Sequence, residues 1–306
     1  MTQKSLPDSL LRNFKCHPRK WLAIYMAKCL LWTAWMSMSL YAIIIIEHWL
    51  PRLVPQLLLG AAFCHGVELQ HQALHYTGFR SAWANRLAGL VVGFPMLVPF
   101  SAYRDRHLFH HQALGRPDDE EFFQFQGFGS SRWWHLFKSL FMLSYYYSLC
   151  KHFIDTMLFR PYTVKSRGGD AAKIRHEYFL VGGVFFGLAG WSLFTGSGIF
   201  LQCWLIPLFC FATPIHALVE LPEHYGCNTR SLNVFENTRT IYTHPFFSWF
   251  TNGNNYHVEH HYLPKLPMEQ LRDIHPQIKD KICYHCPSYF AFYRKLARDF
   301  IAGKPK

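Results

Sequence analysis

Long runs of apolar residues alternate with polar stretches along the chain. The apolar runs cover residues 21–46, 53–76, 178–194 and 199–221. About 20 apolar residues are enough for a helix to cross the hydrocarbon core of a bilayer. Short polar or glycine-containing turns at residues 47–52 and 195–198 join the runs in pairs. The pattern therefore predicts about four transmembrane helices arranged as two hairpins.

The stretches outside these runs are polar or mixed. Residues 87–100 are apolar but too short to span a bilayer, and Pro95 and Pro99 interrupt them, which indicates an interfacial or re-entrant piece. Residues 136–159 are aromatic and amphipathic, as is typical of a helix lying on the bilayer surface. We expect one all-α integral membrane domain over residues 1–306, whose cytoplasmic parts are a tail, a middle segment and a C-terminal segment. These parts are residues 1–20, 77–177 and 222–306.

Charge orients this arrangement. The chain has 31 Lys and Arg against 19 Asp and Glu, and all of the basic residues except Lys28 and Arg52 fall on the side of the two termini. Basic residues accumulate in cytoplasmic loops, so both termini are predicted to be cytoplasmic, in a bacterial inner membrane or the endoplasmic reticulum. Lys28 lies close enough to the end of its run to snorkel. No nucleic-acid motif accompanies the basic balance, so we expect no nucleic-acid partner.

The last third of the second run is too polar to face lipid. It contains the polar residues His65, Glu68, Gln70, His71, Gln72 and His75. Ionisable residues within a membrane helix face protein, a metal or water. This end of the run is therefore expected to line a site.

Three histidine clusters lie at the ends of the runs or in the polar segments. Residues 71–75 read H-x-x-x-H, and residues 107–111 and 257–261 both read H-x-x-H-H. Side chains three and four positions apart share one face of a helix, so each cluster can aim its imidazoles in one direction. The clusters hold too many histidines for one tetrahedral zinc ion, which takes four ligands. Two metal ions that share eight or nine nitrogen ligands account for the pattern.

This trio of motifs resembles the membrane fatty acid desaturase and hydroxylase superfamily. Residues 254–261, N-N-Y-H-V-E-H-H, followed by Leu-Pro at 263–264 and 266–267, are similar to its last histidine box. Residues 221–226, L-P-E-H-Y-G, resemble the E-H-Y-G segment of membrane alkane hydroxylases and the E-H-Y of sphingolipid desaturases. The resemblance extends from about residue 65 to residue 274, and it implies a histidine-rich integral membrane oxidoreductase.

The resemblance also implies a non-haem di-iron centre that uses dioxygen as co-substrate. Electrons would come from a separate ferredoxin, rubredoxin or cytochrome b5 type of protein, and no catalytic residue beyond the iron ligands is expected. The implied ligands are His71, His75, His107, His110, His111, His257, His260 and His261.

A ninth ligand would come from the fourth run, where His216 and His224 compete. They are eight residues apart, about 12 Å along a helix, so one compact site is not expected to use both. We favour His224, because it follows Pro222 at the cytoplasmic end and occupies the E-H-Y-G position that binds iron in the related hydroxylases. The alternative for His216 is a hydrogen bond within the bundle, for example to Glu220.

Each imidazole ligand needs a partner for its second ring nitrogen. Candidate groups around the ligands are His216, Glu68, Asp105, Asp118, Asn254, Asn255 and Glu259. The favoured function is desaturation of a fatty acyl chain, free or lipid-linked, at the bilayer. The alternative is a hydroxylase or ketolase of an alkyl, acyl or carotenoid substrate. A metal transporter or sensor is a third hypothesis, although transporters hold their ligands near the bilayer midplane.

Overall fold

The computed structural model describes residues 18–119, 132–160, 170–228 and 230–302. Most of residues 1–20, and parts of the segments 77–177 and 222–306, lie outside the described residues. The described chain is mostly helical. Its first half contains α1 Pro18–Ile45, α2 Trp49–Leu74, α3 Ala82–Gly93, α4 Phe100–Ala113, α5 Arg132–Leu140 and α6 Leu143–Met157.

The second half begins with α7 Ala171–Thr195, which Gly196 ends in a left-handed conformation at φ 66°. Two π-helical stretches, Leu201–Leu205 and Pro207–Ala212, then lead into α8 Thr213–His224. The remaining elements are α9 Val234–Asn237, β1 Arg239–Ile241, α10 Pro245–Phe250, α11 His257–Tyr262, α12 Leu271–Ile278, β2 Tyr284–Cys286 and α13 Tyr289–Ile301. Short 3₁₀ turns occupy Phe94–Met96, Met268–Gln270 and Lys279–Lys281.

Three of the described helices are long and apolar enough to cross a membrane, and a bent pair raises the number to four if it counts as one span. The three are Arg19–Ile45, Ala171–Thr195 and Leu201–His224. The second predicted run forms α2, whose 26 residues reach about 39 Å. Its last third is polar, and α2 is not among the three described helices that are apolar enough to cross a membrane. The chain is thus a mostly helical protein with candidate membrane spans, and a total of four spans stays a prediction.

The bent pair lies in the middle segment. Ala82–Met96 and Phe100–Ala113 meet at 96°, as in a broken span or a re-entrant loop. Leu97 takes a left-handed conformation with φ 59°, and Pro99 starts α4 without a backbone donor. This bend agrees with the short re-entrant piece expected for residues 87–100, and it points α4 toward the end of α2.

Helix α2 lies at the centre of the bundle. Its Leu59, Phe63 and Val67 are buried with Leu208 and Ala212 of the π-helical stretch. Gly60 lets the two backbones approach, because a Cβ atom there would lie 2.6 Å from Cβ of Phe211. Small residues permit such close packing between helices in a membrane.

The ammonium group of Lys28 has two partners in the C-terminal segment. Its Nζ donates to Glu269 Oε1 at 2.7 Å and to Asn252 Oδ1 at 2.6 Å. Gln72 of α2 also donates to Glu269, at 3.0 Å to Oε2. Through Glu269, Lys28 links α1 and Gln72 links α2 to the segment that precedes α12.

A two-stranded parallel sheet departs from the all-α expectation. β1 pairs with β2 in the register Arg239 with Tyr284 and Ile241 with Cys286. The pairing brings the C-terminal segment back under α8, where the Tyr293 hydroxyl of α13 donates to the carbonyl of Leu218. Strands of three residues are too short to show the alternation of apolar and polar residues that predicts a β-strand.

Candidate metal centre

Nine imidazoles from four helices converge at one end of the bundle. Helix α2 brings His71, and His75 directly follows its last residue; α4 brings His107, His110 and His111, α8 brings its last residue His224, and α11 brings His257, His260 and His261. Where an element brings several histidines, the later ones lie three or four positions after the first, so they share one face. All of the histidines predicted as ligands from the sequence, with His224 as the ninth, are thus brought together.

The nine imidazoles divide into two groups. The first group contains His71, His75, His107, His111 and His260, whose ligand atoms all lie within 4.8 Å of one another. His71 Nε2 lies 2.8 Å from His107 Nε2 and 3.0 Å from His260 Nε2. His111 Nε2 lies 2.9 Å from His107 Nε2 and 3.1 Å from His260 Nε2. Five nitrogens therefore face a common point.

The second group surrounds a neighbouring point. His110, His224 and His261 form one cluster, and His257 joins His224 together with Glu223 in an overlapping one. The Nε2 separations are 3.3 Å between His110 and His261, 3.1 Å between His261 and His257, and 3.2 Å between His257 and His224. Glu223 Oε2 lies 3.2 Å from His257 Nε2 and offers an oxygen beside the four nitrogens.

These separations match the edges of a metal coordination shell. Two nitrogens each bonded to a first-row metal at about 2.1 Å, and at right angles to one another, lie about 3.0 Å apart. The observed nitrogen pairs scatter around that value, and imidazole suits iron, zinc, copper and nickel. The donor set therefore fits two metal ions, one in each group.

The environment of the three α11 imidazoles favours their neutral form, which is the form that binds a metal. Burial, and then the neighbouring imidazoles, hold the pKa of His257, His260 and His261 well below its ordinary value. Desolvation penalises the charged form of a histidine, and only the neutral form has a lone pair for a metal. The site therefore favours the protonation state that a metal requires.

Three imidazoles of the second group are oriented through their outer nitrogens. His110 Nδ1 lies 2.9 Å from both carboxylate oxygens of Asp119. His224 Nδ1 donates to the carbonyl of Asn237 at 3.0 Å, and His257 Nδ1 donates to Asn254 Oδ1 at 2.9 Å. A partner of this kind fixes the tautomer and aims Nε2 at the metal.

The remaining groups predicted to surround the ligands do not all contact an imidazole of the centre. Asn255 accepts from Ser248 and donates to the carbonyl of Ile241, so it fastens β1. Glu259 pairs with His275 and accepts from Thr240 at 2.6 Å, which anchors α11 to α12 and β1. Asp105 is buried on α4. It is Asp119, not its neighbour Asp118, whose carboxylate meets a histidine of the centre.

The two candidates for the ninth ligand separate clearly in space. His224 lies within the second group, with its ring centroid 5.0 Å from those of His110, His257 and His261. His216 lies two turns earlier on α8, and its Nε2 is 3.1 Å from Glu220 Oε1. This is the intrahelical pairing expected for His216 if it is not a ligand.

Two cavities adjoin the centre. A cavity of about 20 Å³ is lined by Glu68, His71, Tyr103, His107, His110, Glu220, Glu223, His224, Asn254 and His257. A cavity of about 70 Å³ is lined by Val67, Val98, Pro99, Ala102, Tyr103, Arg106, Met142, Tyr145, Tyr178, His216 and Glu220. About 10–15 Å³ holds one water molecule. The smaller cavity can therefore hold a molecule the size of water or dioxygen, and Tyr103 and Glu220 belong to the walls of both.

Asp119 and Glu223 were not among the residues predicted from the sequence, and Glu220 was predicted only as a partner of His216. Glu223 had an available signal, because it directly precedes His224 in the E-H-Y-G segment. Asp119 follows His110 by nine residues in a loop, where no helical periodicity connects the two. Its role becomes visible only when the loop is seen to fold back onto α4.

Comparison with known proteins points to one family. A family model described as fatty acid desaturase matches residues 47–293, which includes all four helices of the centre. An acyl-lipid (9-3)-desaturase from Physcomitrium patens is 23% identical over 240 residues, which cover 69% of this chain and 44% of that protein. The chain thus spans less than half the length of that relative.

Proposed function

The chain belongs to the fatty acid desaturase family, and from this premise we propose that it is a membrane di-iron oxidoreductase that uses dioxygen to desaturate a fatty acyl chain. The acyl chain is free or lipid-linked. The observation that carries the proposal is the convergence of nine imidazoles into two groups with metal-ligand spacing. A single structural zinc ion would need only four of them.

In this proposal each group holds one iron ion. His71, His75, His107, His111 and His260 hold the first, and His110, His224, His257 and His261 hold the second. When bound, the two irons would activate dioxygen and share the electrons delivered for its reduction. The protein's own contribution is to bury the nitrogens, keep them neutral and orient His110, His224 and His257 through outer hydrogen bonds.

The larger cavity supports an acyl substrate. Val67, Val98, Pro99, Ala102 and Met142 give it an apolar wall, and Tyr103 connects it to the smaller cavity. Methylene groups bind to such a wall by the hydrophobic effect, at about 0.8 kcal/mol for each buried CH₂. A chain entering here would bring a methylene toward the metal groups while water is excluded.

A hydroxylase or ketolase of an alkyl, acyl or carotenoid substrate is the second candidate. One observation favours it: Glu223-His224-Tyr225-Gly226 has the pattern of the alkane hydroxylases, and His224 lies among the histidines of the second group. Both reactions start by removing hydrogen from the same kind of carbon. They differ in whether oxygen is then transferred to the product.

The proposal includes an orientation and an electron donor. The charge asymmetry supports cytoplasmic termini, with the histidine centre on the same side in a bacterial inner membrane or the endoplasmic reticulum. A separate ferredoxin, rubredoxin or cytochrome b5 type of protein then delivers electrons from the cytoplasm. The net charge of +12 supports an acidic partner.

Expression in a heterologous host with lipid mass spectrometry tests the function. The expected result is a new acyl species that is lighter by two hydrogens. His111→Ala, which removes one imidazole from the first group, serves as the inactive control. A host whose acyl chains are unchanged, although the protein is present in its membranes with bound iron, would contradict the proposal for the substrates available there.

A further inference from the structure

Three ionisable side chains outside the ligand set meet between α2 and α8. His216 Nδ1 lies 4.0 Å from Glu68 Oε1, and His216 Nε2 lies 3.1 Å from Glu220 Oε1. Only 3%, 4% and 19% of the Glu68, His216 and Glu220 side chains are exposed. The three therefore form a largely buried row from one helix to the other, with a gap between His216 and Glu68.

Such a row is costly to keep inside a membrane-facing bundle. Ionisable residues in membrane helices are rare and mark ion pathways or proton relays. His216 and Glu220 form an ion pair one turn apart, while Glu68 Oε2 is buried and has no hydrogen-bond partner among the described residues. A carboxylate oxygen without a donor is unfavourable as an anion. The neutral acid is the form of Glu68 that this environment favours.

The row connects the two cavities. Glu68 and Glu220 line the smaller cavity beside the histidines, and His216 and Glu220 line the larger one. A proton held by Glu68 thus faces the place where dioxygen would be reduced. The imidazole of His216 lies behind it, in reach of the other carboxylate.

Desaturation needs a proton supply. The balanced reaction is –CH₂–CH₂– + O₂ + 2 e⁻ + 2 H⁺ → –CH=CH– + 2 H₂O, in which the one-electron donor protein supplies the electrons. The two protons have to cross a site that otherwise excludes water. A chain of groups that can each bind and release a proton meets this need.

We propose that Glu68, His216 and Glu220 form a proton relay into the metal-facing cavity, an inference that rests on the proposed function. Glu68 gives its carboxyl proton to the cavity and is reprotonated by His216 Nδ1. Loss of the Nδ1 proton leaves His216 neutral, and a turn of its ring brings the bare nitrogen to Glu220, which takes up a proton through its partly exposed side chain and passes it on. The 4.0 Å separation of His216 Nδ1 and Glu68 Oε1 exceeds a hydrogen bond by about 1 Å, a distance that a small change of the Glu68 side-chain rotamer would supply.

Glutamine substitutions separate a relay from a purely structural role. Glu68→Gln, Glu220→Gln and His216→Gln keep polar side chains of similar size, but none of them can carry a proton. Asp155→Asn is the matched control, because it removes a carboxylate charge of α6 that pairs with Lys151 and Arg160, and Asp155 lines neither cavity.

The first readout is independent of turnover. Infrared spectroscopy of the purified metal-loaded protein, without substrate, follows the carbonyl band of protonated carboxylic acids after transfer to D₂O. Glu68→Gln should remove one band, and His216→Gln and Glu220→Gln should keep that band but slow its exchange by roughly tenfold or more. Asp155→Asn should change neither. Exchange at the wild-type rate in both His216→Gln and Glu220→Gln would overturn the relay. A full set of carboxylic acid bands in Glu68→Gln would also overturn it.

Turnover with an acyl substrate is the second readout. Product formation should fall about 10²-fold in the Gln variants while their iron content stays at the wild-type level. If wild-type protein makes no acyl product but the band exchanges as expected, the proposed function fails and the proton path stands. If product forms at the wild-type rate in the Gln variants, the relay is wrong.

If Glu68→Gln does not fold, Glu68→Asp is the second variant. It keeps a carboxylic acid and should shift the frequency of the same infrared band; an unshifted band contradicts the proposal.

Discussion

Asp119 lies 2.9 Å, through both of its carboxylate oxygens, from Nδ1 of His110. Asp119 is only 1% exposed, so this contact is shielded from water. It fixes the imidazole with Nε2 toward His261, 3.3 Å away in the second group. A loop carboxylate thereby orients a histidine on a helix, and it does so for the group that has fewer imidazoles.

Asp119→Asn should weaken metal binding in the second group by about 10- to 100-fold, because the ring of His110 loses the charge that orients it. The measurement is iron content after dialysis against a graded series of chelator concentrations. Asp118→Asn is the matched control and should retain iron like the wild type. Equal iron loss in the two variants would show that the carboxylate of Asp119 has no special role.

Wild-type protein should carry about two irons per chain, and His224→Ala should lose roughly half of them. His216→Ala should keep both, because His216 pairs with Glu220 instead of joining a histidine group. Elemental analysis of the purified variants decides between them. Iron lost from His216→Ala and kept in His224→Ala would reverse the assignment of the ninth ligand.

Short-range spacing made the shared face of each histidine cluster predictable, whereas the ligand set came from the resemblance to the desaturase and hydroxylase superfamily. His107, His110 and His111 share a helix face whichever way that helix points, so their convergence could be anticipated. The separation of His216 and His224 along one helix argued against a shared site. The choice of His224 rested on its position after Pro222 and on the resemblance of its E-H-Y-G segment to the hydroxylases.

Long-range contacts explain what the sequence left open. The partner of Lys28 is Glu269, 241 residues away, and no local pattern signals that pairing. The contact of Asp119 with His110 depends on the path of a loop, and the β1–β2 pairing joins strands of three residues each. Such contacts depend on how distant segments pack in the folded protein, so no local pattern in a single sequence predicts them.

The Lys28–Glu269 ion pair should stabilise the fold. The two side chains are 13% and 8% exposed, so Lys28→Met leaves a largely buried carboxylate without its charge partner. Breaking such a pair costs about 3 kcal/mol or more, whereas removing both charges costs less. Thermal unfolding in detergent should therefore rank Lys28→Met below the double variant Lys28→Met/Glu269→Gln. Additive losses in the double variant would argue that the two side chains do not interact.

Electron delivery should depend on salt. With a net charge of +12, the protein should attract an acidic redox partner by electrostatic steering. Charges at the surface are screened beyond about 8 Å at physiological ionic strength. Stopped-flow reduction by an acidic ferredoxin should slow as salt rises, while reduction by a small uncharged reductant should not. A protein-mediated rate that ignores ionic strength would indicate apolar docking.

The most direct test of the central claim is the fate of labelled dioxygen. Purified iron-loaded protein is given an acyl substrate, a reductase system and ¹⁸O₂, and the product is analysed by mass spectrometry. We expect a product that has lost two hydrogens and carries no ¹⁸O, with the label recovered in water. A product that carries one ¹⁸O atom would contradict desaturation and identify the protein as a hydroxylase.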